Sequence, residues 1–176
     1  MGTATPPVPV KLIAGLLASS DALFGEAAAA LSDRFGVIDG VSTPTDWTAS
    51  TYYAGEMGAA IRRQFLSFEP LIGPGKLAGI KQLTNEIERR WRTGPGRQVN
   101  IDPGYVAAMK LVLASTKDAA HRVYLSGGLY AEATLQFVDG TFRPHAYTYP
   151  DYAATETLQF FNAVRKRYLA QLRPLH

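Results

Sequence analysis

The chain has 176 residues, 47% of them hydrophobic and 19% charged, a length and apolar content that suit one sizeable core and favour a single domain over two. Lys plus Arg exceed Asp plus Glu by only 18 to 15, and the surplus sits in short runs (Arg62-Arg63, Arg89-Arg90 with Arg92, Arg165-Lys166-Arg167) that read as solvated helix faces, so nucleic-acid binding is not expected. Cysteine is absent, which excludes disulfides, thiol nucleophiles and Cys-ligated metals.

Residues 1–9, with Pro6, Pro7 and Pro9, read as a disordered lead-in, and residues 10–172 as a single α+β domain. Val10 to Ala18 is a short, continuous apolar run, the pattern of a strand buried on both faces. It falls far below the roughly 20 residues of a membrane span and lacks a basic leader before it, so a cytoplasmic location is expected. Ser20 before Asp21, then Phe24, Ala28, Leu31 and Phe35 up to Gly36, predict a capped amphipathic helix.

Val37 to Val41 is a candidate strand, and Ser42 to Ser50, with Pro44, is turn-forming. Alternation over Ala60 to Phe68 predicts a strand. Pro74 opens a second helix with the stripe Leu77, Ile80, Thr84, Ile87 and Trp91, leaving Lys81, Asn85 and Glu88 on the opposite face, and Gly94-Pro95-Gly96 closes it. Gln98 to Ile101 reads as a strand. Asp102-Pro103 then resembles an N-cap with proline at the first helical position. Tyr105, Ala108, Met109, Val112 and Leu113 supply a helical stripe, with a buried strand over Lys110 to Ala114 as the alternative. The last helix, Thr155 to Leu172, buries Leu158, Phe161, Val164, Tyr168 and Leu172. The order matches a ferredoxin-like βαββαβ core with an appended antiparallel β-meander and C-terminal helix, a class α+β fold.

Turn chemistry sets the expected registers of the meander. Asp139-Gly140 as a two-residue hairpin pairs Phe137 with Phe142, Thr134 with His145 and Glu132 with Tyr147. A three-residue loop at Ser126-Gly127-Gly128 pairs Leu125 with Leu129, Val123 with Ala131 and Arg122 with Glu132. Arg122, Glu132 and Tyr147 then lie side by side, on a face shared with Tyr124, Tyr130, Thr134, Gln136, Arg143 and His145. Such a face is a cleft wall in which Arg122 binds an anion or orients Glu132 as acid or base, or else a cross-strand ion pair with aromatic neighbours.

Several chemistries lack their signatures. Gly73-Pro74-Gly75-Lys76-Leu77 misses the hydroxyl and glycine spacing of a phosphate-binding loop, and no GxGxxG turn links a strand to a helix. The three histidines, His121, His145 and His176, include no i, i+4 pair, so neither a metal nor a cofactor is expected. No nucleophile-elbow sequence surrounds a serine. Lys117, His121 and Arg122 form a cationic cluster suited to phosphate or carboxylate, or to the negative end of the helix expected before it. In Tyr147-Thr148-Tyr149-Pro150-Asp151-Tyr152, Asp151 reads as a pocket carboxylate or as a cap for the last helix.

Val99-Asn100-Ile101-Asp102-Pro103-Gly104-Tyr105, Lys110 to Asp118, His121-Arg122-Val123-Tyr124-Leu125, Tyr130-Ala131-Glu132 and Thr148-Tyr149-Pro150-Asp151-Tyr152, with Val10-Lys11-Leu12, Phe65 to Phe68, Lys81 and Thr84-Asn85-Glu86, carry a resemblance. Over residues Val10 to Tyr168 the chain is similar to the bacterial family of domain of unknown function 4416. That resemblance implies no activity and carries over no catalytic residue. The expectation is a polar cleft for a small anionic ligand, for example a nucleotide or phosphorylated metabolite, with Asn100, Asp102, Lys117, His121, Arg122, Glu132, Tyr147 and Asp151 as ligand contacts. Glu132 and His121 are the catalytic candidates. The competing expectation is an interaction module whose basic C-terminal helix docks an acidic partner or RNA.

Overall fold

The computed structural model describes residues 2–48, 57, 60–94 and 96–173. Its strands are β1 (Val10–Ala18), β2 (Ile38–Val41), β3 (Thr45–Asp46), β4 (Arg62–Ile72), β5 (Arg92–Thr93), β6 (Gly96–Arg97), β7 (Val99–Val106), β8 (Lys110–Ser115), β9 (Val123–Ser126), β10 (Leu129–Val138) and β11 (Thr141–Pro144). The α-helices are α1 (Asp21–Phe35), α2 (Leu77–Glu88), α3 (Pro150–Ala153) and α4 (Thr155–Leu172). Nine strands form one antiparallel sheet in the order β11-β10-β8-β7-β1-β4-β2, with β3 beside β4 and β9 beside β10; β5 and β6 make a separate small hairpin.

The sheet is covered on both faces, which is why β1 is buried along its whole length. On one face Leu12, Leu16 and Ala18 pack with Phe24, Ala27 and Leu31 of α1 and Ile80 and Ile87 of α2. On the other, Ile13, Phe65, Leu111, Leu113 and Leu135 meet Tyr152 of α3 and Phe161, Val164 and Tyr168 of α4. The predicted caps of α1 are present: Ser20 Oγ accepts from the Leu23 N–H, and Gly36 at φ 94° ends the helix. The strand expected from Ala60 begins at Arg62 and runs to Ile72. The turn-forming segment Ser42 to Ser50 contains β3, and its last two residues lie outside the described ones.

The largest correction falls between Asp102 and Leu113. The expected helix is instead a β-hairpin, β7 and β8 paired at Gly104↔Leu113, Tyr105↔Val112 and Val106↔Leu111, as the alternative strand over Lys110 to Ala114 implied. Of the five apolar residues at helical spacing, Val112 and Leu113 are buried in β8 and Tyr105 is half-buried in β7, while Ala108 and Met109 fall in the connecting turn with Met109 exposed, so the spacing alone does not distinguish helix from strand. Asp102 and Pro103 are strand residues, not a cap.

In the meander, Phe137↔Phe142 holds, and Asp139 and Gly140 both have positive φ, as a type I′ turn requires. The ladder stops at Leu135↔Pro144, so the expected pairs Thr134–His145 and Glu132–Tyr147 do not form. At the other turn the connection is the two residues Gly127-Gly128, not three, because Ser126 pairs with Leu129. A bulge between Leu129 and Tyr130 then restores Val123↔Ala131, the register that amphipathicity required. A second bulge, at Thr134, reverses the alternation of β10: Glu132 opposes Leu113 and Leu135 opposes Leu111, so Glu132 shares the α4 face with Leu135, while Gln136 leaves it.

Candidate functional site: a polar cleft at a strand split

Pro103 opens the site. The Ala107 N–H donates to Lys110 O, and the pairing fixes odd-numbered β7 residues as those whose backbone groups face β8. The next donor due in that ladder after Tyr105 belongs to Pro103, which has none. Pairing with β8 ends at Gly104, whereas β7 stays paired with β1 back to Val99. A Cβ at Gly104 would lie 2.3 Å from Val112 O, so only glycine permits the close approach just before the strands part.

The split leaves the backbone groups of Ile101 without strand partners, and α2 supplies them. Glu88 Oε1 accepts from the Ile101 N–H at 2.7 Å, and Lys81 Nζ donates to Ile101 O at 2.8 Å. Lys81 and Glu88, expected on the face opposite the apolar stripe, are therefore buried. Lys81 also lies 3.6 Å from Asp102 Oδ1, and Arg97 Nη1 donates to Glu88 Oε2 at 2.9 Å. Burial raises the pKa of Glu88, against the opposing pull of Lys81, the Ile101 N–H and Arg97.

A cavity of about 420 Å³ occupies the split. Its inner wall carries Arg63 of β4, buried, with Nε donating to Asp151 Oδ2 at 2.8 Å and Nη1 facing Asp102 Oδ2 at 3.5 Å. Burial works against the Arg63 charge, and Asp151, Tyr152 and Asp102 together more than reverse this, so the guanidinium pKa is raised. Asn100 Nδ2 donates to the same Asp102 oxygen at 2.8 Å. Asp151 sits in the first turn of α3 and does not cap α4, whose N-cap is Ala154.

The outer wall comes from the segment between β8 and β9 and from β10. Arg122 Nε donates to Glu132 Oε2 at 2.8 Å and Nη1 to Lys117 O at 2.8 Å, while Thr134 Oγ1 donates to Glu132 Oε1 at 2.9 Å. Because no helix precedes it, the Lys117–Arg122 cluster has no helix end to complement. Six of the expected contacts, Asn100, Asp102, Lys117, Arg122, Glu132 and Asp151, line the cavity. His121 and Tyr147 are not among its lining residues: His121 Nε2 lies 3.3 Å from Glu132 Oε2 with its ring stacked on Tyr147 at 4.2 Å, and the Tyr147 hydroxyl donates to Ala133 O. The His145 ring stacks on the other ring of that pair, Tyr147, at 5.0 Å.

Sequence reasoning missed Arg63, Lys81, Glu88 and Arg97, all of which line the cavity, as do Trp47 and Tyr149. The usable signal was Pro103, a ladder-breaking residue inside an otherwise strand-compatible run. Among the described residues no group of His, Asp and Glu is placed to hold a metal ion, and no helix is long and apolar enough to cross a membrane.

Fold and site together define an α+β protein built on one antiparallel sheet, with a charged cleft where two strands separate. Residues 8–168 match the model of a domain of unknown function, DUF4416, and the chain belongs to that family. The matched span contains every residue named in the cleft. No curated protein and no solved structure matches the chain.

Proposed function

We propose that the protein binds a small anionic ligand, such as a nucleotide or phosphorylated metabolite, in the cleft between β7 and β8. The observation that carries this reading is the concentration of five cationic side chains, Arg63, Lys81, Arg97, Lys117 and Arg122, around a 420 Å³ cavity whose described lining holds four carboxylates. The volume falls within the range of small-molecule sites, and the carboxylates fix the guanidinium groups so that little side-chain entropy remains to be lost on binding. Glu132, engaged by Arg122, Thr134 and His121, serves this reading as the anchor of Arg122 rather than as the group that moves a proton.

Docking of an acidic partner or RNA on the C-terminal helix draws less support. Arg165 Nε donates to Ala108 O with its guanidinium over the Phe137 ring, and Arg167 pairs with Asp39, so two of the three basic residues of that run are engaged within the chain. The ferredoxin-like description of residues 10–101 is a proposal of the same standing, supported by the neighbour order β7-β1-β4-β2 and by α1 and α2 packing on one face. A cytoplasmic, bacterial setting is likewise proposed, and a chain without cysteine is compatible with it.

Thermal melts of the protein and of Arg122→Ala in a panel of phosphorylated metabolites and nucleotides test the reading. The expected result is an upward shift with at least one compound that shrinks in the variant. Equal shifts in both proteins, or none across the panel, count against it.

A further inference from the structure

Tyr152 is the one polar group of the cleft lining whose hydroxyl is buried without a hydrogen-bond partner among the described residues. Its residue is only 2% exposed, and its ring is clamped against Phe65 at 5.0 Å and Phe161 at 6.0 Å, so the hydroxyl cannot swing out to water. Buried hydroxyls left unpaired are destabilising and uncommon, and one at a cavity wall points to a partner that arrives from the cavity.

A second, independent observation lies beneath it. A Cβ built on Gly15 would stand 2.7 Å from Tyr152 Oη and 3.0 Å from Arg63 Nη1, so the bare backbone of β1 makes room for a phenol and a guanidinium together. Among the described residues the polar contact of Arg63 Nη1 is a long one, 3.5 Å, to Asp102 Oδ2. The nearby carboxylates do not rule out an anion, since Asp151 is bound to Arg63 and Asp102 lies between Arg63 and Lys81.

We infer that the inner end of the cleft is an oxyanion seat, in which Tyr152 Oη and Arg63 Nη1, adjacent over Gly15, donate to a carboxylate or phosphoryl oxygen of the bound ligand. This rests on the reading that the cleft binds an anion, and adds where the anion sits and which neutral donor selects it. Burial pushes the Tyr152 phenol pKa well above its ordinary value, so the hydroxyl keeps its proton and is a donor at neutral pH. The hydroxyl is shielded from solvent at the inner end of the cleft, on a single-turn helix tied to the sheet through the Asp151–Arg63 pair.

Calorimetric titration with inorganic phosphate and, separately, with succinate tests the seat on the whole protein, on Tyr152→Phe, and on Tyr147→Phe as a control whose hydroxyl bonds only backbone outside the cleft. The expected outcome is binding of at least one anion by the parent, weakened roughly tenfold or more in Tyr152→Phe and unchanged in Tyr147→Phe. Preference for phosphate or for succinate identifies which oxyanion the seat takes. Thermal melting without added anion supplies a second readout: Tyr152→Phe, which deletes an unpaired hydroxyl, melts no lower than the parent. Equal affinity in parent and Tyr152→Phe overturns the seat while leaving anion binding in the cleft intact. Absence of binding to either anion in the parent overturns both, and a Tyr152→Phe variant that melts several degrees lower shows the hydroxyl already paired and overturns the seat alone.

Discussion

Two buried charge networks sit towards opposite ends of β1, and they differ in what surrounds them. At one end Lys11, fully buried in β1, donates to Asp39 Oδ2 at 2.6 Å, Phe68 O at 2.9 Å and Gln171 Oε1 at 2.7 Å, while Ser67 and Arg167 bond the same aspartate or each other. Every donor of the lysine is used. At the other end Arg63, Lys81, Arg122 and their carboxylates border a 420 Å³ space and leave a phenol hydroxyl unpaired. A network that only ties β1, β2, β4 and α4 together closes on itself; one that remains open at a cavity retains binding capacity. Gly40 and Gly15 mark the parallel: each yields its Cβ volume to a polar group of its network, Ser67 Oγ in the first case and Tyr152 Oη in the second.

Substitutions at matched positions break the comparison most strongly. Arg63→Met leaves Asp151 buried without its partner, and the expected loss is about 4 kcal/mol of unfolding free energy by urea titration, together with loss of anion binding. Lys11→Met, in the closed network, is expected to cost about 3 kcal/mol, less because Asp39 keeps Ser67 and Arg167, and to leave anion affinity unchanged. If Lys11→Met weakens anion binding as much as Arg63→Met does, the two networks are not functionally distinct. Arg122→Ala is expected to weaken binding by roughly tenfold, the value of one charge-assisted hydrogen bond, as read by the same titration.

The smallest effect is one of pH. Burial makes folded Glu88 hold its proton more tightly than the unfolded chain does, so its contribution to stability is full below the ordinary glutamate range, near about 4.3, and is lost as pH rises through its raised value. Glu88→Gln retains an acceptor for the Ile101 N–H and is expected to flatten that decline in urea midpoints measured across the acidic range. A slope identical to the parent's would remove Glu88 as its source.

Much of this architecture was legible from periodicity and capping: β1, α1 with Ser20 and Gly36, the Phe137–Phe142 pair and the buried stripe of α4 follow from local chemistry that tertiary contacts reinforce. The cleft was half legible. Arg122 and Glu132 were paired by turn geometry, and the pair survives because one bulge corrected the turn length. The rest was hidden for two physical reasons. A buried strand and a buried helix both present apolar residues at positions such as Tyr105, Val112 and Leu113, so the Pro103 break looked like a helix start. With that break read as a helix start, nothing marked Ile101 as a backbone in need of partners, and nothing tied Lys81 and Glu88 to it.

The most direct test of the central claim is mass spectrometry of small molecules released by denaturing the purified protein, run in parallel on Arg122→Ala. The account predicts an anionic compound released by the parent and depleted in the variant. Release of no anion from the parent, or of equal amounts from both, would contradict it.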